Sequence, residues 1–492
     1  MAKQLSILFV SSEVYPFAKV SGIADVSYSL PLALRDLGHD VRVMMPKYGS
    51  ISERKNRIHE INRLRDIPIP MGEDSVPATV KSSSINNPRN KVQAYITTNE
   101  KYFDSKRGIY NDPKTWKPYA DNDERFIFFN RSVIETCLML GWYPDIIHCN
   151  NWQTSLIAAY AKQLFPKEFK KTKIVLTIHN FSDQGVFPLS TFDKTGLPKK
   201  AQPNFRFKNK FNFIKGGIIN ADWVTTVSPS YADQMLKDKT HSNGLSAALK
   251  ENEAKFSGIL NGIDTWTWSP EHDNLIVEKF EDDYSEYKYQ NKTDLLEKFG
   301  LEFDPDFPVL GVVSRIDEQK GIPLLLEAAK EFLKLDVQLV MLGDGEPKLR
   351  EKLKKLSAKY PDKFKIKFGF NDQLAHQIEA GTDMYLLPSE FEPCGLNLPY
   401  SLNYGSVPIV HATGGLKDVA KNYDPKTKKG NAFVFKNYDA KDFVAAIKNA
   451  LNIYTEDRNQ WEQIAKNGMD GDYSWEKSAE KYDEIYFNLL KD

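Results

Sequence analysis

The stretch Pro388-Ser-Glu-Phe-Glu-Pro-Cys-Gly-Leu396 decides how this chain of 492 residues is read. An apolar run, Met384-Tyr-Leu-Leu387, stops just before it, and the turn that follows sets one carboxylate, Glu392, among prolines and a glycine. Pro408 and His411-Ala-Thr-Gly-Gly-Leu416 come next, with a Gly pair at the opening of a helix. A short apolar strand ending in a turn rich in Pro and Gly belongs to a parallel α/β sheet, and open sheets of this kind gather ligands at their carboxyl edge. Chemistry is expected at that edge.

Around this strand lie others of the same kind: Val309-Leu-Gly-Val-Val313, Val337-Gln-Leu-Val-Met-Leu342, Phe364-Lys-Ile-Lys-Phe368, Val407-Pro-Ile-Val410 and Ala432-Phe-Val-Phe435. An earlier series runs Leu5 to Val10, Val41 to Met45, Val92 to Ile96, Asp145 to His148, Ile174 to Ile178 and Trp223 to Val227. Helical patterns separate the runs, so each series reads as a parallel sheet covered by helices. The fold class is α/β with two Rossmann-like domains facing a deep cleft. Residues 1–258 are assigned to the first domain, 259–473 to the second, and 474–492 to a C-terminal helix capped by Ser474 that packs back on the first. A hinge is placed near residues 255–262. The charged stretch from about Pro270 to Lys292 lacks convincing periodicity.

Lys plus Arg equals Asp plus Glu at 66 each, so no global field favours nucleic acid or an anionic membrane. Three widely spaced cysteines, Cys137, Cys149 and Cys394, suit neither a disulfide framework nor a zinc site. No metal is expected. The start shows no charged-then-apolar signal, and no apolar stretch reaches membrane-spanning length, which makes the cytoplasm the expected location.

Several segments carry candidate chemistry. The loop from Ser11 to Asp25 leads into an apolar-periodic helix over Val26 to Leu37, and its backbone N–H groups, with Lys19 and Gly22, can meet an anion. Taken alone it reads equally as an ordinary strand-to-helix turn. In Val313-Ser-Arg-Ile-Asp-Glu-Gln-Lys-Gly321, Arg315 and Lys320 leave a strand end and could hold a diphosphate, although solvated surface charges would look the same. His179-Asn180 stands at another strand end, where a histidine can donate to a sugar hydroxyl or polarise a reacting centre. His148 occupies a similar edge, with Asn150, Asn151 and Trp152 beyond it. Phe370 can stack on a flat base or fill a core. Asp304-Pro-Asp306 precedes a strand and is a turn.

In this order, the segments resemble the bacterial glycogen synthase and plant starch synthase family of retaining glucosyltransferases, which use ADP-glucose and have the GT-B fold. The carriers run through nearly the whole chain: Lys19 to Asp25, Tyr102-Phe-Asp104 with Gly108-Ile-Tyr110, Asp121-Asn122 with Arg125-Phe126, His179-Asn180 with Gln184-Gly185, and Thr226-Val-Ser-Pro229. Later carriers are Leu260 to Asp264 with Trp268-Ser-Pro270, Ser314-Arg315 with Gln319-Lys-Gly321, Ala380-Gly381 with Asp383, Phe391 to Leu396, and Thr413 to Leu416. The resemblance implies Lys19 and Gly22 near the donor diphosphate and sugar, His179 and Asn261 on the glucosyl unit, and Arg315 and Lys320 on the diphosphate. It implies Glu392 at the reacting glucose, backbone groups of Cys394, Gly395 and Leu396 on its hydroxyls, Phe370 against adenine, and Thr413, Gly414 and Gly415 opening the helix that faces the phosphates. The implied partners are ADP-glucose and an α-1,4-glucan primer, with no further cofactor.

The chain departs from the family pattern at Ser21 for Gly, Asn151 for an acidic residue, Asp183 for Tyr, Glu390 for Arg, and Asn397-Leu398 for Thr-Gln. Asn151 removes a charge that would favour a developing oxocarbenium ion, and Glu390 adds one near a diphosphate site. The alternatives left open are a catalytically weak glucan-binding or nucleotide-sugar-sensing paralogue, and a related retaining enzyme using UDP-glucose or another acceptor.

Overall fold

A computed structural model describes residues 3–491. The chain divides into two compact units: one runs to Asn261 and resumes at Trp475, and the other is Gly262–Ser474.

In the first unit the strands Phe256–Gly258, Trp223–Thr226, Lys173–Ile178, Ile146–Asn150, Ser6–Val10, Asp40–Pro46 and Lys91–Thr98 lie side by side in that order, all parallel. Their apolar runs are buried on both faces, Ile7 to Val10 being at most 1% exposed, as helix-covered parallel strands require. The long Asp74–Asn86 strand then pairs antiparallel with Lys91–Thr98 and carries the short strands Ile67–Met71 and His59–Glu60. The sequence pattern hides this meander, because its run Lys81-Ser-Ser-Ser84 has no apolar alternation. The helix after the first strand spans Ile23–Asp36, starting three residues before the periodic stretch that announces it.

The C-terminal helix Trp475–Leu489 belongs to this unit. Tyr486 Oη meets His148 Nδ1 at 2.6 Å, Asp483 meets His39 Nε2 at 2.8 Å, and Ser478 Oγ donates to the carbonyl of Leu260 at 2.6 Å.

The second unit is built on a six-stranded parallel sheet ordered Phe364–Phe368, Gln338–Gly343, Val309–Val313, Met384–Leu387, Val407–His411, Phe433–Phe435. The stretch read as lacking periodicity contains the start of a helix, Tyr284–Phe299, N-capped by Asp283 and closed by Gly300 at φ 63°. Its buried face is Tyr284, Tyr287, Lys288, Asn291, Lys292 and Leu295, a regular helical stripe disguised by two lysines. Lys288 Nζ donates to the carbonyls of Ala380 and Thr382, and Lys292 pairs with Asp383 at 3.0 Å. Burial pulls Lys288 down to about 7 and pushes the neighbouring Glu379 carboxyl well up.

Each parallel sheet reverses its strand order once. The reversal falls between Ser6–Val10 and Ile146–Asn150 in the first unit, and between Val309–Val313 and Met384–Leu387 in the second. A crevice at the carboxyl ends of such strands is where open α/β sheets bind ligands.

Candidate active site

In the second unit the reversal brings together most of the residues singled out from the sequence. Lys320 leaves the Val309–Val313 strand and Glu392 leaves Met384–Leu387, and Lys320 Nζ donates to Glu392 Oε2 at 2.5 Å. The Lys320 side chain is 23% exposed and that of Glu392 only 8%, so the pair is largely shielded from water. Ser389 Oγ adds a donor to the same carboxylate oxygen at 3.1 Å. Two backbone contacts seat the loops. Glu390 N–H donates to the carbonyl of Gln319 at 2.9 Å, and Gly321 at φ 73° leaves no room for a side chain against the carbonyl of Pro388.

Gly415 N–H donates to the carbonyl of Glu392 at 2.9 Å, which joins the Thr413–Gly415 segment to the turn carrying Cys394, Gly395 and Leu396. Gly395 and Gly414 have φ of 77° and 45°, conformations that side chains resist. Arg315 is on the same edge but does not touch Glu392. Its guanidinium is held by Asp317 at 3.3 Å and Gln319 at 3.2 Å, with the side chain 59% exposed. Phe370 follows the Phe364–Phe368 strand and is 95% exposed, so it fills no core.

In the first unit Lys19 and Gly22 lie beyond the carboxyl end of the Ser6–Val10 strand, His179 beyond Lys173–Ile178 and Asn261 beyond Phe256–Gly258. Lys19 Nζ pairs with Asp25 at 2.8 Å, and Gly22 is the N-cap of the Ile23–Asp36 helix. The expectation that the loop's backbone N–H groups await an anion is corrected in part. The N–H groups of Val20 and Ser21 already donate to Glu13 Oε2, at 2.7 and 2.9 Å. An internal carboxylate occupies that nest.

His179 is corrected as well. Asn150 Nδ2 donates to the carbonyl of Val10 at 3.0 Å, which turns Asn150 Oδ1 toward His179 Nε2 at 2.9 Å. The proton therefore sits on Nε2 and is spent on Asn150, while burial holds the ring neutral, with its pKa lowered to about 4. Nδ1 is left as an acceptor, so His179 can receive a hydrogen bond from a sugar hydroxyl instead of donating one. Asn261 carries a buried carbonyl oxygen with no protein partner among the described residues. His148, by contrast, is fully buried between Tyr486 and Thr177 and belongs to the core.

Sequence reasoning missed Glu13 and Tyr110 as parts of one arrangement. The available signal was a charged residue three positions past the end of a buried strand. Among the described residues no group of three or more His, Cys, Asp or Glu could hold a metal ion, and no helix is long and apolar enough to cross a membrane.

A family model described as "Starch synthase catalytic domain" matches residues 6–251, and one for "Glycosyl transferases group 1" matches 295–468. A glycogen synthase of Chlorobaculum parvum is 39% identical over 99% of both chains, and one of Cellvibrio japonicus is 40% identical over 98% of this chain and 99% of its own. The chain belongs to the glycogen and starch synthase family.

The solved catalytic domain of starch synthase IV from Arabidopsis thaliana, bound to ADP and acarbose, matches the whole of both chains at 29% identity with a TM-score of 0.89. Sucrose-phosphate synthase from Thermosynechococcus elongatus, at 18% identity and a TM-score of 0.59, shares the fold. Both sheets thus belong to a glycosyltransferase of the GT-B type.

Against the glycogen and starch synthase pattern, the departures at Ser21, Asn151, Asp183, Glu390 and Asn397 have these local surroundings. Ser21 keeps a negative φ and donates its hydroxyl to Glu13 Oε1 at 2.9 Å. Asn151 adopts φ 57° and accepts the N–H of His179 at 2.8 Å, the same service an aspartate would give. Asp183 accepts the indole N–H of Trp152 at 2.8 Å. Glu390 is exposed, and its charge, after burial, helps push the Tyr438 phenol up to about 12. Asn397 Nδ2 donates to the carbonyl of Val313 at 2.6 Å and to Tyr385 Oη at 3.1 Å, binding the start of its helix to the end of the Val309–Val313 strand, two residues before Arg315.

Proposed function

We propose that this protein transfers glucose from ADP-glucose to the non-reducing end of an α-1,4-glucan with retention of configuration. The observation that carries the reading is the shielded Lys320–Glu392 pair at the strand-order reversal of the second sheet. Breaking the glycosidic bond to a diphosphate loads negative charge on the leaving group, and fixed cations in a partly dry site stabilise that charge most effectively. Lys320 and Arg315 supply them, so the reading needs no resident metal. Each is held by an acid in the free protein; the arriving diphosphate takes Arg315 from Asp317 and shares Lys320 with Glu392. Glu392, once shared, lies against the glucosyl unit and stabilises positive charge growing at its ring. His179 Nδ1 and the unpartnered carbonyl oxygen of Asn261 accept sugar hydroxyls. The exposed face of Phe370 takes the adenine.

The test is nucleotide release by the purified protein with ADP-glucose or UDP-glucose, with and without glycogen. Primer-dependent ADP release with glucose incorporated into polymer supports the proposal, and preference for UDP-glucose would replace the donor while keeping the reaction. A second reading, a glucan-binding or sensing protein of weak activity, is favoured by Asn151 and Asp183, since no charge stands at position 151 and one oxygen of Asp183 is spent on Trp152. Binding of ADP-glucose or glucan by folded protein without turnover would establish it.

A further inference from the structure

Glu13 is fully buried three residues past the Ser6–Val10 strand, and four donors converge on its carboxylate. Oε2 takes the N–H groups of Val20 and Ser21 at 2.7 and 2.9 Å. Oε1 takes the hydroxyls of Ser21 and Tyr110 at 2.9 and 2.7 Å. Tyr110 Oη also lies 2.7 Å from Ser12 Oγ, and Tyr48 donates to the Ser12 carbonyl at 2.8 Å. Tyr110 ends the segment beginning at Tyr102, which the buried Arg125 grips by its carbonyls at Tyr102 and Ile109, at 2.7 and 2.8 Å. One carboxylate thus joins two segments about ninety residues apart in the chain, and a carboxylate offers about four acceptor positions, all of them engaged.

With both oxygens saturated and no surface exposed, Glu13 reaches no substrate and exchanges no proton with one. We propose that Glu13 is a positioning residue, whose carboxylate sets the Lys19–Gly22 loop and ties it through Tyr110 to the Tyr102–Tyr110 segment, so that Lys19 and Gly22 meet the sugar nucleotide in one geometry. The assignment rests on the reading above that this loop meets the donor. Glu13 is an internal carboxyl group that satisfies successive backbone N–H groups as a phosphate would in other loops. Those two N–H groups are therefore structural, and the donor's contacts in this loop fall to Lys19 and to Gly22 at the helix start.

Substitution separates geometry from charge. In Glu13→Gln the amide oxygen can still accept from Val20 and Ser21, while its NH2 group faces two hydroxyls able to accept, so the loop keeps its shape without the charge. Glu13→Ala loses all four bonds. The experiment compares wild type, Glu13→Ala, Glu13→Gln and Tyr110→Phe by donor KM, kcat and hydrogen exchange of peptides spanning residues 14–24 and 102–111. Glu13→Ala should raise donor KM about tenfold, because loop residues must be ordered at binding, and should lose protection over 14–24. Glu13→Gln should stay within about threefold in KM with protection kept, as an isosteric acceptor permits. Tyr110→Phe should loosen 102–111 alone.

Equal damage from Glu13→Gln and Glu13→Ala would overturn the positioning role, because charge would then be what matters. So would a Glu13→Ala variant with unchanged protection and donor KM. If Glu13→Ala does not fold, the double variant Ser21→Gly/Tyr110→Phe, which removes both donors to Oε1, decides: unchanged exchange in both peptides and unchanged KM would refute the tie. Should wild type turn over no sugar nucleotide, the proposed function fails, and the exchange data still decide whether Glu13 holds the two segments.

Discussion

A single methyl group added at Gly321 should part the two loops that carry Lys320 and Glu392. Gly321 is the N-cap of the Ile322–Phe332 helix at φ 73°, and a Cβ there would fall 1.8 Å from the Pro388 carbonyl oxygen and 2.6 Å from its carbon. The left-handed conformation costs an alanine about 1–2 kcal/mol. Relieving the overlap requires a displacement of roughly 1.5 Å to reach ordinary contact, which overpacking data put at about 1–3 kcal/mol. Together these give about 2–5 kcal/mol for Gly321→Ala, or very roughly 5–15 °C in the melting of a unit this size. The displacement acts on the seam that holds the Glu390–Gln319 backbone bond of 2.9 Å and the Lys320–Glu392 pair of 2.5 Å. A shift of about 1 Å in reacting groups costs on the order of a hundredfold in rate. Gly300→Ala is the control: φ there is 63°, in the same unit, with nothing within 4 Å of the added atom. It should lose only the conformational 1 or 2 kcal/mol and keep its turnover. Denaturant titration and kcat for both variants make the measurement. If the two lose the same stability and both keep kcat, the contact with Pro388 does not hold the site.

Lys320→Ala leaves the buried Glu392 carboxylate without its cation, though still accepting from Ser389, and should cost about 3 kcal/mol together with a hundredfold or more in kcat. Adding Glu392→Gln should restore much of the stability and none of the turnover, as chemical denaturation beside nucleotide release will report. Phe370→Ala should leave the melting temperature unchanged, since the ring is 95% exposed, and should raise donor KM by about fivefold or more if it stacks on adenine. A pH prediction concerns His148, buried between Tyr486 and Thr177 and lowered by burial to about 3. The unfolded histidine takes its proton near pH 6.5, so between that pH and about 3 the unfolded chain binds the extra proton. The first unit should hold this contribution fully above pH 6.5 and lose on the order of 4 kcal/mol as pH falls toward 3, a slope that His148→Gln should flatten in pH-dependent urea melts.

Much of the fold is legible because parallel strands buried on both faces must be continuously apolar, and runs such as Ile7 to Val10 or Met384 to Leu387 can be little else. The meeting of Lys320 with Glu392 is legible too, since both follow strand ends and open sheets bring those ends to one edge. Elements whose polar residues find distant partners are not. The Tyr284–Phe299 helix conceals its core face behind Lys288 and Lys292, which are acceptable there only because carbonyls and Asp383 lie opposite. The direction of His179 depends on the rotamer of Asn150, and that depends on the Val10 carbonyl, a chain of bonds no spacing encodes. Glu13 depends on Tyr110 in the same way.

On the proposed function, those hidden partners bear on how a chain with no net charge would offer a site for a diphosphate. Each of the three cations singled out is already balanced locally, Lys19 by Asp25, Arg315 by Asp317 and Lys320 by Glu392, and the N–H groups of Val20 and Ser21 are taken by Glu13. The affinity for a diphosphate is then the difference between its contacts and the internal ones it displaces, and only contacts that strengthen as charge builds on the leaving group raise the rate. The partners differ in how readily they yield. Arg315 and Lys19 are at least half exposed, and their acids return to water at little cost. Lys320 is held in a shielded pair, so its release requires something to replace it beside Glu392, and a glucosyl centre acquiring positive charge is such a replacement. On that reading, pairing Lys320 with the carboxylate keeps both groups in position before the donor arrives, and makes their full separation favourable only as the reaction proceeds.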